Sequence, residues 1–264
     1  MLVWMETRLV YPGAFVEADA RDWRSEAIGT ESLRYTSVDG TVLEGRLVRR
    51  RDSGRHVLFF HGNGTKAVWS IGFMRRLAGA LDASVFAPEY RGYGASDDHG
   101  DTGEGVRRSD HPTEARVVED CIAAADAYCE KAGVSPEQVI LYGSSLGGGC
   151  AAAVAQQRGA RAVILERTFG RLVDVAAEKY WFLPVRWLMK NRFDSSARLA
   201  KYLGPVLQIH GDIDHVVPIQ HARSLEATLV TNDHEFELVS GLGHNDFIDQ
   251  ETLARVRRWL DERE

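Results

Sequence analysis

The chain has 264 residues, of which 44% are hydrophobic and 27% are charged, and it contains 25 glycines but only 7 prolines. This composition is typical of a globular protein and excludes disorder, collagen and a coiled coil. The formal net charge of −6 supplies no basic field to hold phosphate backbones, so we expect no nucleic-acid partner.

The cysteines and the first residues bear on where the protein works. Cys121, Cys129 and Cys150 lack the paired spacing of a zinc site, and we expect buried free thiols in a reducing cytoplasm. The apolar start, residues 1–5, is too short for a membrane span and has no basic region, so neither a signal peptide nor a transmembrane segment is predicted. The prediction is a cytoplasmic protein.

The first regular structure is predicted to be a β-hairpin. Residues 32–38 and 41–48 alternate apolar and polar side chains on either side of Asp39-Gly40, a dipeptide that favours a type I′ turn. We expect an antiparallel pair at the edge of a sheet.

The rest of the chain alternates short apolar runs with segments of helical length. Continuous apolar strands that alternate with helices are typical of a parallel sheet with helices on both faces. The predicted strands are residues 56–60, 84–88, 138–142, 162–165, 206–210 and 235–239. No repeat or linker interrupts this pattern, and residues 1–264 are interpreted as a single α/β domain.

Two helices have clear signals, and two stretches do not fit a minimal alternation. Residues 113–131 have an apolar face and end before Gly133, and residues 246–264 have apolar side chains near helical period. The exceptions are a polar loop at 95–111 and an insertion at 167–203, which we interpret as a possible small helical cap.

The strongest local signal is Gly-Ser-Ser-Leu-Gly at residues 143–147, which follows a predicted strand and precedes a helical run. A serine on such a tight strand-to-helix turn exposes its hydroxyl, and small residues at positions −2 and +2 let the chain pass close by. The G-x-S-x-G frame selects Ser145 as the nucleophile of a hydrolase.

A serine hydroxyl needs a base, and the base needs an orienting acid. In this fold they follow in the order serine, acid, histidine. Asp212 and Asp214 compete for the acid after the strand at 206–210. His244 lies on a glycine-containing loop before the last helix, where the base is expected. His215, His221 and His234 are weaker alternatives, and Asp246 is interpreted as the cap of the last helix.

The tetrahedral intermediate also needs donors for its oxyanion. One is normally the N–H of the residue after the nucleophile, which is Leu146. The other is expected from the loop at 61–64, His-Gly-Asn-Gly, where the N–H of Asn63 is the candidate.

The combined motifs resemble the Bem46-like branch of the α/β-hydrolase superfamily. The resemblance extends from about Leu33 to the C-terminus and rests on residues 60–64, 89–96, 142–149, 210–218 and 243–246. It departs from the family in lacking an N-terminal membrane helix, in having Glu89 where Asp is frequent, and in a longer loop at 95–111.

The resemblance indicates an α/β-hydrolase fold. With the strand pattern above, the predicted architecture is a mostly parallel sheet with an N-terminal antiparallel hairpin, helices on both faces and a small helical cap insertion at 167–203. The resemblance also implies Ser145 as nucleophile, Asp214 as acid and His244 as base, with Asn63 and Leu146 forming the oxyanion hole. The expected activity is hydrolysis of small carboxylic esters or thioesters, with no metal or organic cofactor.

The substrate pocket is less defined. Trp181, Phe182 and Trp187 are candidates to line an acyl pocket, although the same cluster could simply pack a helix onto the sheet. The loop at 95–111 could be a rim of the site or solvated surface. A serine peptidase or amidase of the same fold and a non-catalytic binding module are the alternatives, whereas a dehalogenase or epoxide hydrolase would need Asp in place of Ser145.

Overall fold

A computed structural model describes residues 2–16, 27–51, 53–93 and 111–264. Eight strands form one sheet in the order β1-β2-β4-β3-β5-β6-β7-β8. The strands are β1 (Glu31–Thr36), β2 (Val42–Val48), β3 (Arg55–Phe60), β4 (Ala83–Ala87), β5 (Val139–Ser144), β6 (Ala162–Glu166), β7 (Val206–Gly211) and β8 (His234–Val239). All eight predicted strands are confirmed to within two residues at each end.

The sheet is parallel except at its N-terminal edge. β1 pairs antiparallel with β2, β2 pairs antiparallel with β4, and every pairing from β4 to β8 is parallel. The chain leaves β3, forms β4 on one side of it and then returns to form β5 on the other side. The carboxyl ends of β3 and β5 therefore meet at a reversal of strand order, where open α/β sheets bind their ligands.

Helices cover both faces of the sheet. The described helices are α1 (Leu2–Val10), α2 (Ile71–Leu81), α3 (Glu114–Ala132), α4 (Leu146–Arg158), α5 (Leu172–Lys179), α6 (Val185–Leu188), α7 (Ser195–Leu199), α8 (Ile219–Glu226) and α9 (Gln250–Asp261). Helices α3 and α4 contribute to one apolar cluster, and α2 and α9 contribute to the second. Strands β3 to β7 lie between these two layers, which explains why they are buried along almost their whole length.

Both predicted ends of α3 are confirmed. The Thr113 side chain caps its first turn by accepting a hydrogen bond from the N–H of Arg116. Gly133 ends the helix in the left-handed conformation, with φ of 70°. Cys121, Cys129 and Cys150 are buried free thiols, as expected.

Two predictions of local structure were wrong. Gly40 has φ of 86°, but Asp39 does not have a positive φ, so the hairpin has no type I′ turn, which needs both. The connection is longer, and it closes with a hydrogen bond from the N–H of Ser37 to the carbonyl of Thr41. The last helix is capped by Asp249, which accepts a 2.7 Å hydrogen bond from the N–H of Thr252, and not by Asp246.

The loop and insertion singled out in the sequence differ in what the structure shows. Most of the loop at 95–111 lies outside the described residues. The hypothesis that this loop forms a rim of the site therefore stays a prediction. The insertion between β6 and β7 contains α5, α6 and α7. Within the described ranges, no helix combines the length and the apolar character that a membrane crossing requires.

Candidate active site

Ser145 lies on a strained turn between β5 and α4. Its φ of 51° and ψ of −116° put a non-glycine residue in a region that L-amino acids rarely adopt. The N–H of Ser145 donates to the carbonyl of Glu166 at 2.9 Å, and the Thr168 hydroxyl donates to the carbonyl of Ser145 at 2.7 Å. Both peptide groups of the residue are therefore held by the end of the neighbouring strand.

The two glycines of the G-x-S-x-G motif are required by space. A Cβ atom at Gly147 would lie 2.0 Å from the carbonyl oxygen of Phe60, and one at Gly143 would lie 2.5 Å from the carbonyl oxygen of Gly147. Both neighbours are backbone atoms of packed elements and cannot easily move. The close passage that the sequence pattern predicts is thus present between α4, β3 and β5.

The structure brings Ser145, His244 and Asp214 together. Nε2 of His244 lies 3.0 Å from Oγ of Ser145, and Nδ1 lies 2.7 Å from Oδ2 of Asp214. In the tautomer that carries its proton on Nδ1, His244 donates to Asp214 and accepts from Ser145. This arrangement can move a proton from the serine hydroxyl to the imidazole.

Asp214 is fixed as an ionised acceptor. Its side chain is buried, and Oδ1 accepts hydrogen bonds from the N–H groups of Val216 at 2.9 Å and Val217 at 2.8 Å. Burial raises the pKa of this carboxyl, but the hydrogen bonds from His244 and Val217 outweigh burial, so the pKa lies below its ordinary value. The carboxylate can therefore hold and stabilise a protonated His244.

A second histidine lies behind Asp214. His210 is buried at the end of β7, with Nε2 at 2.8 Å from the carbonyl of Val217 and 3.8 Å from Oδ2 of Asp214. Burial lowers the pKa of His210, because the charged imidazolium is poorly solvated there. Sequence reasoning assigned no role to this residue.

The alternative acids and bases make other contacts. Asp212 accepts hydrogen bonds from the N–H of Gly241 at 2.7 Å and the hydroxyl of Ser240 at 3.1 Å, and so braces the loop after β8. Nε2 of His221 lies 2.8 Å from Oε2 of Glu178, and Nε2 of His234 lies 3.5 Å from Oε1 of Glu226. The side chain of the remaining alternative, His215, is exposed. Among the described residues, no cluster of three or more His, Cys, Asp or Glu side chains could hold a metal ion.

The loop that carries Asn63 runs beside the serine. A Cβ atom at Gly62 would lie 3.7 Å from Cβ of Ser145, an ordinary contact distance. Leu146 begins α4, so its N–H belongs to the helix N-terminus, which favours negative charge. Both candidate oxyanion donors thus lie next to the serine in chain or in space.

The N-terminal segment holds Asn63 in place, a role that the sequence did not suggest. The side-chain amide of Asn63 donates to the carbonyl of Val10 at 3.0 Å. The carbonyl of Asn63 accepts from the N–H of Gly13 at 3.1 Å and from the hydroxyl of Tyr93 at 2.8 Å. Residues 10–13 therefore fasten the loop from outside the family motifs.

Glu89 performs a structural role under the same loop. Its carboxylate lies 3.1 Å from Nε2 of buried His61 and accepts a 3.0 Å hydrogen bond from the N–H of Ala67. The hydroxyl of Tyr35 donates to the carbonyl of Glu89. The Glu89 side chain thus supports the loop that carries Asn63.

Glu166 and Arg167 form a buried pair that sequence reasoning missed. Arg167 has φ of 50°, and its guanidinium contacts Glu166, which also accepts from Tyr142. The same guanidinium donates to the carbonyl of Gly243 at 3.0 Å and to that of Asp246 at 2.6 Å, on either side of His244. The position of these residues at the carboxyl end of β6 is the signal that could have found them.

The histidine loop is closed by Asp246. Its carboxylate accepts a 2.7 Å hydrogen bond from the N–H of Gly243, so Asp246 caps the turn around His244 instead of the last helix. A Cβ atom at Gly211 would lie 1.8 Å from the carbonyl oxygen of Leu242. The end of β7 and the start of this loop are therefore in close contact.

The aromatic candidates for the substrate pocket are exposed. Trp181 is 81%, Phe182 65% and Trp187 90% accessible to solvent. They form an open surface on the insertion in this structure and do not enclose a cavity. Contact between these side chains and an acyl group stays a prediction.

Comparison with known proteins agrees with this architecture. The family model described as serine aminopeptidase, S33, matches residues 52–191, which is just over half of the chain. The chain belongs to this family. An uncharacterized protein of Mycobacterium tuberculosis is 32% identical over 213 residues, covering 80% of this chain and 71% of the relative.

Two further similarities, one in sequence and one in structure, indicate the fold and the superfamily. Alpha/beta hydrolase domain-containing protein 17C of Xenopus tropicalis is 28% identical over 252 residues, covering 92% of this chain and 74% of that protein. An esterase from Pyrococcus furiosus superposes with a TM-score of 0.68 at 15% identity, covering 94% of this chain and 95% of the esterase. The protein has the α/β-hydrolase fold and is a member of that superfamily.

Proposed function

We propose that this protein is a serine hydrolase that cleaves small carboxylic esters through an acyl-enzyme intermediate. The observation that carries the proposal is the hydrogen-bonded path from Asp214 through His244 to the hydroxyl of Ser145. The three residues follow β5, β7 and β8 of one sheet, which supports one catalytic domain over residues 1–264 with residues 167–203 as a cap insertion.

In the first half-reaction, Oγ of Ser145 attacks the ester carbonyl while Nε2 of His244 takes its proton. Asp214 keeps the imidazole oriented and stabilises the imidazolium. The N–H groups of Asn63 and Leu146 donate to the oxyanion, and loss of one such donor costs about 2.7–4 kcal/mol in related sites. The C–O bond to the leaving alcohol then breaks, and His244 gives the alkoxide its proton.

The second half-reaction releases the acid. His244 takes a proton from water, and the hydroxide attacks the acyl carbonyl. The bond to Oγ of Ser145 breaks as His244 returns the proton to the serine. The complete cycle consumes one water molecule, releases the alcohol and the acid, and needs no further reactant.

Ester cleavage is favoured over peptide cleavage by the motifs and, as an analogy of fold, by the solved structure named above. The fold neighbour from Pyrococcus furiosus is an esterase, and the five motifs resemble the Bem46-like branch, in which we place this chain. The family description names a serine aminopeptidase, so peptide bonds are the second candidate. Because the proposed cap is short, acetyl and butyryl esters are expected to react faster than palmitoyl esters or thioesters.

The test is labelling with a fluorophosphonate, followed by mass spectrometry of the modified peptide. Wild type is expected to be labelled on Ser145, and Ser145→Ala and His244→Ala are expected to lose labelling. Ser144→Ala is the matched control, because it removes the adjacent hydroxyl and should leave Ser145 reactive.

Labelling of Ser145→Ala at the wild-type rate would overturn the nucleophile assignment, and absence of labelling in wild type would favour a binding module. Turnover of p-nitrophenyl acetate and butyrate is then compared with that of aminoacyl p-nitroanilides. Faster turnover of the anilides would replace the esterase proposal by an aminopeptidase.

A further inference from the structure

An exposed apolar surface lies on the connection between β6 and β7. We name residues 179–192 the aromatic-basic segment. Hydrogen bonds from the N–H of Leu183 to the carbonyl of Tyr180, and from Met189 to Val185, make the segment compact. Five of its large apolar side chains are exposed: Trp181, Phe182, Leu183, Trp187 and Leu188. Neighbouring apolar side chains exposed to this extent mark an interaction surface.

The charge of the segment is opposite to that of the whole chain. Within residues 179–192 there are four cations and no acidic residue, although the net charge of the protein is −6. Lys179 and Lys190 are exposed, and over the described ranges neither makes an ion pair. Arg186 pairs with Asp174, and Arg192 donates to backbone carbonyls of the segment. Glu6, a neighbouring acid, accepts from the backbone N–H of Lys190 and leaves its ammonium group available.

The exposed surface of the aromatic-basic segment lies near the carboxyl edge of the sheet, as Ser145 does. Glu178, at the end of α5, contacts Gln220 and His221 in the first turn of α8. Helix α8 follows directly after the loop that carries Asp214. The aromatic-basic segment therefore continues from the carboxyl edge of the sheet, near which Ser145 and His244 meet.

We propose that the aromatic-basic segment docks the protein on an anionic lipid surface. Tryptophan side chains prefer the boundary between headgroups and acyl chains, where an amphipathic ring contacts both media. Lysine and arginine beside them bind the negative headgroups. The segment is too short to cross a bilayer, so the contact is peripheral.

A second copy of the chain is a less suitable occupant. A symmetric dimer would place the same patch on both subunits, so Lys179 and Lys190 of one copy would approach the same lysines of the other. Like charges across an interface oppose association. An anionic bilayer supplies both the apolar depth and the opposite charge.

The test is cosedimentation of the full-length protein with vesicles, and it does not depend on catalytic activity. Vesicles of phosphatidylcholine with roughly a third phosphatidylserine are expected to bind the protein, and pure phosphatidylcholine much less. Trp181→Ser/Trp187→Ser should weaken binding at least about tenfold by removing the apolar contact. Lys179→Ala/Lys190→Ala should weaken it about thirtyfold. Blue-shifted tryptophan emission on binding should disappear in the tryptophan variant.

Matched controls change similar groups elsewhere. Leu203→Ser removes an exposed apolar side chain and Lys201→Ala an exposed lysine, both outside the segment, and both should bind as wild type does. Thermal unfolding establishes that each variant is folded. Equal binding by the tryptophan variant and wild type would overturn the proposal in favour of adsorption by charge alone. A doubled mass in light scattering that the tryptophan changes abolish, without vesicle binding, would overturn it in favour of a dimer.

Discussion

The turn that carries Ser145 and the loop that carries His244 are held by different forces. The serine turn is fixed by lack of space, because Gly143 and Gly147 lie against backbone atoms that leave no room for a Cβ. The histidine loop also meets the end of β7 closely, where Gly211 lies against Leu242. Its turn around His244 is held mainly by side chains: Arg167 donates to its carbonyls, and Asp212 and Asp246 accept from its N–H groups. The turn at Ser145 is therefore constrained chiefly by close backbone packing, whereas the turn at His244 has several side-chain contacts that can be removed one at a time.

The largest effect is expected where space is the constraint. Gly147→Ala would push a methyl group into the carbonyl of Phe60, and overpacking of this kind costs about 1–3 kcal/mol or more. We expect poor yield of folded protein and loss of labelling at Ser145, measured by urea unfolding and fluorophosphonate reactivity.

Gly79→Ala is the control for that change. Gly79 lies in α2, and a Cβ there has no neighbour within 4 Å. Alanine should leave activity unchanged and stabilise the helix by roughly 0.5–1 kcal/mol. Wild-type stability in Gly147→Ala would show that the contact relaxes without cost and would contradict the contrast between the two regions.

The acid assignment is tested by a matched pair of changes on one loop. Asp214→Asn should lower kcat about 10⁴-fold, because an amide favours the wrong imidazole tautomer. Asp212→Asn should lower kcat only a few-fold, since Asp212 touches the loop after β8 and not His244. Steady-state kinetics with a short-chain ester measure both, and a reversal of the two effects would transfer the role to Asp212.

A smaller loss of activity is expected when a side chain that supports the histidine loop is removed. Arg167→Met removes the hydrogen bonds to the carbonyls of Gly243 and Asp246, so His244 should spend less time in line with Ser145. The labelling rate should fall about 10–100-fold, as for other shifts of reacting groups.

Two comparisons separate positioning from a general loss of stability. Arg167→Lys should recover part of the labelling rate, and Arg171→Met, which affects an exposed pair with Asp174, should behave as wild type. If Arg167→Met lowers the unfolding temperature while folded protein is labelled at the full rate, Arg167 does not position the base.

The smallest effect concerns pH. The pKa of His210 is lowered by burial, so the unfolded chain binds its proton more readily than the folded protein does. This contribution to stability is complete above the ordinary pKa of histidine, about 6.5, and is lost as pH falls through the lower, folded value. His210→Gln should therefore lose less unfolding free energy than wild type between about pH 7 and pH 5. Parallel losses in urea titrations would contradict the prediction.

Much of the fold could be predicted because its signals are local. The central strands are short apolar runs, the hairpin strands alternate apolar and polar side chains, Gly133 ends α3, and the glycines around Ser145 mark a close passage. The turn at Asp39 was predicted wrongly from the dipeptide alone, which does not reveal that Arg91, distant in sequence, donates a hydrogen bond to the carboxylate of Asp39. Asp246 was misplaced because the same residue type caps helices and closes loops, and only the position of Gly243 distinguishes the two.

The order of motifs along the chain predicted Ser145, His244 and one of Asp212 and Asp214 as a group, since the carboxyl ends of parallel strands share one edge of the sheet. The family resemblance favoured Asp214 of the two. Only the tertiary structure shows that Arg167 donates to the carbonyls on either side of His244. It also shows that Val10 and Gly13 hydrogen-bond with Asn63, and that three large aromatic side chains are exposed to solvent. Hydrogen bonds between distant segments and the exposure of a side chain depend on how elements pack, and neither leaves a periodic trace in the sequence.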